Sequence, residues 1–308
     1  MYGAIIGDIV GSKYEFRPIN TKDFPFVSKG CEFTDDTVMT VAVARALMKA
    51  RERNFNGEPA SFRAILVAEM QELGRRFPGA GYGGMFAKWL GSPDPRPYNS
   101  YGNGSAMRVS PCGLFAVTLD ETLALAKASS EVTHDHPEGI RGAQAVAACI
   151  FLAKAGKTKM EIHAYVEDNF YKPLPSIGDI RPVNTFDETC QGSVPQAIAC
   201  FLESTDYEDA VRNAVSLGGD ADTQAAIAGS IAWTYYRFGC GFRDNPDDRY
   251  VDKEGRIWTQ SCEDVVAGYR IDELLPDDFV ATIEEFDVQR MLRAGTYDRT
   301  GFCTSIPL

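Results

Sequence analysis

The 308-residue sequence lacks the features that mark membrane-spanning, secreted and zinc-binding proteins. No apolar run reaches the ~20 residues that a spanning helix needs, and the apolar N-terminal run has no basic flank and contains Asp8, which argues against a signal peptide. None of the eight cysteines has C-x-x-C spacing, and the three histidines form no H-E-x-x-H. We therefore expect reduced thiols, no zinc site, and a soluble protein in the cytoplasm.

Positive charge is also scarce. Lys and Arg number 31 against 43 Asp and Glu, which leaves a net charge of −12. A broad nucleic-acid-binding face needs a surplus of cationic side chains to neutralise phosphates, so nucleic acid is expected only as a modified substrate. A local anion site built from backbone amides or bound metal ions remains compatible with this charge.

Strand-like alternation is rare, whereas apolar residues recur at helical spacing over much of the chain. The segment GAGYGG at 79–84 matches the dinucleotide-binding pattern, but it follows a helical stretch rather than a strand, so we interpret it as a loop. The helical spacing predicts an all-α fold. The predicted helices span 35–53, 61–77, 121–131, 139–155, 158–169, 193–203, 206–215, 222–238 and 278–293.

Pro- and Gly-rich connections separate these helices. The segment 172–182 has the composition of a linker, but no shift in composition separates its two sides, so we predict one domain over 1–308. The polar segment 241–262 lacks the spacing of a calcium-binding loop and is predicted to be a solvated loop. No helix shows an apolar surface face that clearly needs a partner chain to cover it, so we expect a monomer.

Two acidic clusters each open an apolar helix. The first is Thr34-Asp35-Asp36-Thr37, and the second is Gly218-Gly219-Asp220-Ala221-Asp222-Thr223. Each cluster has the composition of a helix N-cap. However, each also holds more carboxylates than a cap uses, and grouped carboxylates beside a buried helix are costly unless a cation neutralises them.

The residue types in these clusters indicate which cation that would be. Successive helical residues diverge by about 100°, so Asp35 and Asp36 would address two neighbouring ions rather than share one. Carboxylate and hydroxyl oxygens favour Mg²⁺ or Mn²⁺ over Zn²⁺.

Two further segments are weak signals by themselves. The Gly-rich turn SYGNGSAMR at 100–108 is able to direct backbone amides at a phosphate, although an ordinary loop has the same composition. Near the N-terminus, Glu15 lies between two aromatic residues after an apolar helix, and alone it would be an ordinary surface acid.

Taken together and in this order, the segments resemble the ADP-ribosylglycohydrolase family. The resemblance covers about residues 1–288. It is carried by GAIIGDIVGSKYEF, FTDDTVMTVAVARAL, SYGNGSAMRVSPCGLF, THDHPEGIRGAQAVA, SLGGDADTQAAIAGSIA and the closing LLPDDFVATIEEF.

The resemblance implies a compact, single-domain orthogonal helical bundle with a central cleft that holds two metal ions. Carried over by motif position, the implied metal ligands are Thr34, Asp35, Asp36, Asp220, Asp222 and Thr223. The implied catalytic residues are Glu15, Asp35 and Asp36, with Glu15 as the mobile acid over the metals. The implied contacts to the diphosphate and ribose are Ser100, Tyr101, Gly102, Asn103, Gly104 and His134.

The implied activity is hydrolysis of the ribosyl bond of ADP-ribose attached to a protein or a small molecule, with two Mg²⁺ or Mn²⁺ ions as cofactors. Such a bond breaks through an oxocarbenium-like state that needs an activated water and a protonated leaving group, and Glu15 would transfer a proton in this step. An arginine linkage is slightly favoured, while serine, nucleic-acid and O-acyl linkages stay open. Segments 78–100 and 172–192 lie outside the motifs and do not decide between them.

Two other functions fit part of the sequence. Acidic pairs at helix starts also suit a two-metal phosphoesterase acting on a nucleotide, which would release AMP or phosphate instead of ADP-ribose. A non-catalytic ADP-ribose-binding or structural member would be expected to lose acids of the metal site, whereas Glu15 and all four cluster aspartates are present here.

Overall fold

The computed structural model describes residues 1–52, 59–238, 249–251, 257–259 and 265–293. The described chain is predominantly helical, which confirms the all-α prediction. Its helices are α1 (Tyr2–Ser12), α2 (Asp35–Glu52), α3 (Pro59–Arg76), α4 (Gly84–Leu90), α5 (Gly104–Met107), α6 (Ser110–Phe115), α7 (Leu119–Glu131), α8 (Pro137–Lys154), α9 (Lys159–Asn169), α10 (Ile177–Ile180), α11 (Cys190–Leu202), α12 (Tyr207–Val215), α13 (Ala221–Phe238) and α14 (Asp277–Arg293). A 3₁₀ turn spans Ile271–Leu274.

The long helices begin and end within about three residues of the predicted positions. The sequence pattern did not predict the short helices α4, α5, α6 and α10, because each lies in a Gly- or Pro-rich connection and is too short to show a helical period. The thiols of Cys31, Cys112, Cys149, Cys190 and Cys200 are buried and free, as expected; the other three cysteines lie outside the described residues.

Helices α1 and α13 pack unusually closely, and the second acidic cluster lies at this contact. The sequence GAIIGDIVG places Gly3, Gly7 and Gly11 on one face of α1. A Cβ at Gly7 would lie 2.1 Å from the carbonyl oxygen of Ala225, and one at Gly11 would lie 2.4 Å from the Cα of Asp222. Only glycine permits this approach, and it brings the backbone of α1 against the first turn of α13.

The core of the bundle is rich in alanine and other small residues. Helix α8 buries 11 of its 18 residues, including Val146 and Ile150, and its small residues let α6, α11 and α13 pack against it. None of the helices within the described ranges is long and apolar enough to span a membrane.

The polar segment 241–262 is only partly described. Within it, two short strands, β1 (Arg249–Val251) and β2 (Ile257–Thr259), pair antiparallel, so part of the predicted loop is a hairpin. Its remaining residues lie outside the described ones. The segment 172–182 contains α10, which contacts α11.

Candidate metal and substrate site

Asp8, a residue that the motif analysis did not single out as a site residue, organises the first acidic cluster. It lies on α1, is fully buried, and accepts hydrogen bonds from the backbone amides of Thr34 and Thr37 at 2.9 and 3.0 Å. It also accepts from both threonine hydroxyls, at 2.7 and 2.5 Å. Asp8 thereby caps α2 from outside the helix, so the carboxylates of Asp35 and Asp36 are not needed as caps.

The hydroxyl oxygen of Thr34 keeps one lone pair that is not used in a hydrogen bond among the described residues. Its proton is donated to Asp8, and its oxygen accepts a long hydrogen bond of 3.3 Å from the amide of Asp36. A hydroxyl has two acceptor lone pairs, so one remains for a cation. The role of Thr34 as a metal ligand stays a prediction, and this geometry leaves an acceptor site for it.

The second acidic cluster lies directly opposite, at the start of α13. Gly218 and Gly219 have φ values of +71° and +81°, a left-handed conformation that glycine adopts without strain. This turn directs the chain into Asp220 and Asp222, both of which are buried. The hydroxyl of Thr223 donates to the carboxylate of Asp36 at 3.4 Å, so side chains of the two clusters touch across the cleft.

Glu15 joins the second cluster from the end of α1. One carboxylate oxygen each of Glu15, Asp220 and Asp222 lie within 4.8 Å of one another. Asn103 supports this group from the glycine-rich loop, because its side-chain amide donates to Asp220 at 2.6 Å and to Ser193 at 2.9 Å. Four of the segments singled out from the sequence therefore meet in one cleft or support it directly.

Burial and mutual repulsion raise the pKa values of three carboxyl groups at the cleft, those of Glu15, Asp35 and Asp8. Desolvation, followed by the charges of Asp220, Asp8 and Glu188, raises the pKa of Glu15 to about 7. Desolvation and the charge of Asp8 raise the pKa of Asp35 to about 8. Asp8 itself reaches a pKa of about 6, because its burial outweighs the hydrogen bonds that favour its charged form.

The pKa values of two further buried aspartates are also raised. Burial raises the pKa of Asp36 and Asp222 well above the usual range, and neighbouring aspartates add to the effect. The Oδ1 atoms of both side chains are buried and accept no hydrogen bond from the described residues. Buried carboxylate oxygens without donors are costly unless a cation meets them, so the residues present fit a divalent metal site.

The loop at 100–104 uses several of its polar groups internally. The amide of Gly102 donates to Ser100 Oγ at 3.1 Å, and the amide of Asn103 donates to the carbonyl of Glu188 at 2.8 Å. The ring of Tyr101 is about half exposed and makes an edge contact with His136 at 5.3 Å between centroids. Asn103 is thus a support of the acidic cluster in this structure, whereas Tyr101 presents a free aromatic surface.

His134 lies beneath the same loop and is held by a buried polar chain. Arg108 donates to the hydroxyl of Thr133 at 2.8 Å, and that hydroxyl lies 2.7 Å from His134 Nδ1. The other ring nitrogen, Nε2, would lie 3.2 Å from a Cβ at Gly104, so the ring faces the loop backbone. Burial and the charge of Arg108 lower the pKa of His134 well below its usual value, which keeps the ring neutral.

Two segments that the sequence motifs left aside also border the site. In the loop 79–84, Ala80 accepts a hydrogen bond from the amide of Asp35 at 2.7 Å, and a Cβ at Gly81 would lie 3.5 Å from Asp35 Oδ1. In the segment 184–189, Asn184 donates to the carbonyl of Gly218 at 3.0 Å. In the sequence, the loop 79–84 shows only a Gly-rich composition, which ordinary loops share, and the segment 184–189 shows no signal of its own.

Comparison with known proteins shows similarity to one protein family. The family model described as ADP-ribosylglycohydrolase matches residues 1–240. A human protein named ADP-ribosylhydrolase ARH3 is 27% identical over 345 aligned positions, with 89% of each chain covered. A protein of Pseudomonas putida (strain GB-1) named ADP-ribosylarginine hydrolase Tri1 is 28% identical, with 77% of this chain and 69% of that protein covered.

A solved structure has the same fold. It is described as an ADP-ribosylglycohydrolase-related protein complex, and it superposes with a TM-score of 0.54 over 78% of this chain and 86% of its own, at 23% identity.

Proposed function

Because the chain belongs to the ADP-ribosylglycohydrolase family, a family of glycosidic-bond hydrolases, we propose that it releases ADP-ribose from arginine-linked substrates with the help of two Mg²⁺ or Mn²⁺ ions. The observation that carries the proposal is the convergence of Glu15, Asp220 and Asp222 within 4.8 Å, opposite a second acidic pair. The chain acts in this proposal as a monomeric single domain.

The metal ligands proposed here are the residues whose oxygens face the cleft from the two helix starts. Thr34, Asp35 and Asp36 would bind from α2, and Asp220, Asp222 and Thr223 from α13. Two bound cations would supply Lewis-acid binding for the ribose hydroxyls and for the attacking water. They would also relieve the repulsion that raises the pKa values of the aspartates.

Glu15 is the proposed proton-transfer group. It is half buried, and it approaches the second cluster from the loop after α1 rather than from a helix turn. In this position the carboxyl group is able to take a proton from water or give one to the leaving atom of the substrate. Asp35 and Asp36 would assist by fixing the ribose through the metals.

The substrate is proposed to enter along the loop 100–104. Tyr101 presents its exposed ring to the ligand, and the backbone of Ser100, Gly102 and Gly104 lines the path to the metals. His134 would donate from Nε2 to the ribose if Thr133 donates to Nδ1, which the donor-only Arg108 beside Thr133 favours.

Charge on the rim favours a cationic leaving group. Glu188 is exposed, acts electrostatically on Glu15, and is not among the proposed metal ligands, so its charge would persist in the loaded enzyme. A guanidinium leaving group would be attracted by this carboxylate, whereas a serine hydroxyl would not. The relative named ADP-ribosylarginine hydrolase supports the same choice.

The proposal is tested by product analysis on a panel of ADP-ribosylated peptides. Arginine- and serine-linked peptides are incubated with the protein in Mg²⁺ or in EDTA, and released ADP-ribose, AMP and phosphate are quantified separately. We expect Mg²⁺-dependent ADP-ribose from the arginine-linked peptide. Release from serine alone would overturn the choice of linkage, and AMP or phosphate would indicate a phosphoesterase.

A further inference from the structure

Two exposed aromatic side chains make contact beside the acidic cleft. Phe16 is 78% exposed and Phe186 is 47% exposed, yet their rings are nearly parallel, with centroids 6.1 Å apart. Both side chains are large and apolar. Offset ring pairs of this kind stabilise a contact by more than the area that they bury would predict. Phe16 directly follows Glu15 in the chain, so the contact lies one residue from the proposed proton-transfer group.

Phe186 belongs to a segment that is anchored on both sides. On one side, Asn184 donates to the carbonyls of Leu217 and Gly218, at 3.3 and 3.0 Å. On the other side, the carbonyl of Glu188 accepts from the amide of Asn103 at 2.8 Å. The segment 184–189 therefore connects the turn before the second acidic cluster with the substrate loop, and Phe186 is its contact with the chain after α1.

Glu15 has much less support of its own. The residue before it is fixed, since the ring of Tyr14 is buried and lies 5.0 Å from that of Phe24. The charged groups that act on the carboxylate of Glu15 are Asp220, Asp8 and Glu188, all of which repel it. The turn around Glu15 is closed by the amide of Arg17, which donates to the carbonyl of Tyr14 at 3.2 Å, and a further contact beyond Glu15 would fix where this turn lies relative to the cluster.

We propose that the Phe16–Phe186 ring contact positions Glu15 over the acidic cluster, so that both phenylalanines are positioning residues for proton transfer. This inference rests on the proposed function for its kinetic consequences. Without the contact, the turn from Tyr14 to Arg17 keeps its backbone hydrogen bond but is able to swing Glu15 out towards solvent, while the metal ligands at the starts of α2 and α13 stay in place.

The kinetic test uses Phe16→Ala, Phe186→Ala and the double variant, assayed on the arginine-linked peptide. A ring pair of this kind corresponds to a factor of about 3 to 10 in rate. We expect each single variant to lose about this factor in kcat with KM changed less than about twofold, and the double variant to lose no more than either single one. Val183→Ala, in the same stretch and 74% exposed, is the matched control and should keep wild-type kcat.

Hydrogen exchange gives a readout that does not depend on activity. In Phe186→Ala, the amide of Arg17, which donates to the carbonyl of Tyr14 at 3.2 Å across the turn that contains Glu15, should exchange at least about threefold faster, with Mn²⁺ affinity unchanged. Independent losses that multiply in the double variant, a change confined to KM, or unchanged exchange would each overturn the positioning role. If the wild-type protein releases no ADP-ribose, the proposed function fails, and the exchange measurement still decides whether the contact holds Glu15.

Discussion

The buried carboxylate of Asp8 shows how a single residue frees others for chemistry. It accepts hydrogen bonds from the amides and the hydroxyls of Thr34 and Thr37, so Asp35 and Asp36 keep their oxygens for another partner. Capping of α2 thus falls to Asp8 on α1, and the carboxylates of Asp35 and Asp36 are left for the metal binding that we propose.

Substitutions at Asp8 should separate stability from metal binding. Asp8→Ala removes the acceptor for four donors and is expected to lower the free energy of unfolding by about 3 kcal/mol. In Asp8→Asn, the amide oxygen can replace Oδ2, which accepts three of the bonds, so the loss should stay below about 1 kcal/mol. The new NH₂ would then donate to Thr34 and occupy the lone pair left for a cation, and we expect Mn²⁺ affinity to fall about tenfold.

Chemical denaturation and Mn²⁺ titration of both variants check this expectation. Asp206→Asn is a suitable control, because Asp206 is an exposed N-cap of α12, away from any proposed ligand. Wild-type Mn²⁺ affinity in Asp8→Asn would contradict the assignment of Thr34 as a metal ligand. Wild-type stability in Asp8→Ala would contradict the capping role.

Among the helices, the α1–α13 contact sets the distance between Glu15, on the chain after α1, and the aspartates of α13. Any side chain at Gly7 would collide with the backbone of Ala225, which cannot move without displacing α13. The four-residue spacing of the glycines in α1 is the sequence signal for this contact, and it is informative only once the partner helix is known.

Gly7→Ala is therefore expected to destabilise the protein by about 3 kcal/mol, although alanine is the better helix former. Thermal or chemical unfolding measures the change. Gly268→Ala, at a glycine with open space around it, is the matched control and should change stability by less than about 1 kcal/mol. Equal effects at the two positions would show that the helices do not depend on this close approach.

The helices of the bundle were predictable from sequence, because apolar periodicity is a local property. So were the two acidic clusters, because grouped carboxylates at the start of an apolar helix are visible in the sequence itself. Asp8 was not, since its partners Thr34 and Thr37 are more than 25 positions away and nothing near Asp8 marks it as a cap. The same holds for the segment 184–189, whose contacts with Gly218 and Asn103 depend on how α11 packs against the rest of the fold.

For the molecule as a whole, ionisation of the buried carboxyl groups lowers the stability of the folded state when no cation is bound. In the folded protein the pKa of Asp35 is raised to about 8, that of Glu15 to about 7 and that of Asp8 to about 6. Between pH about 4 and these values the folded state binds more protons than the unfolded chain. Stability therefore falls as the pH rises through this window.

EDTA-treated protein should accordingly unfold at a temperature at least about 5 °C lower at pH 8 than at pH 5. Added Mg²⁺ should raise the unfolding temperature strongly at pH 8 and weakly at pH 5, because protonated carboxyls do not bind it. Differential scanning calorimetry provides the comparison. In Asp222→Asn, which removes one buried carboxyl group, the pH dependence should be smaller; a steeper one would contradict the origin assigned to it.

The most direct test of the central claim is ADP-ribose release from an arginine-linked peptide by EDTA-treated protein, before and after Mg²⁺ is added. The wild-type protein should be inactive without the metal and active with it. Asp222→Ala should stay at least about 100-fold less active at any Mg²⁺ concentration, and Glu15→Ala should lose turnover while it still binds Mn²⁺. Metal-independent release, or full activity of Asp222→Ala, would contradict the account of the acidic cleft as a metal-dependent active site.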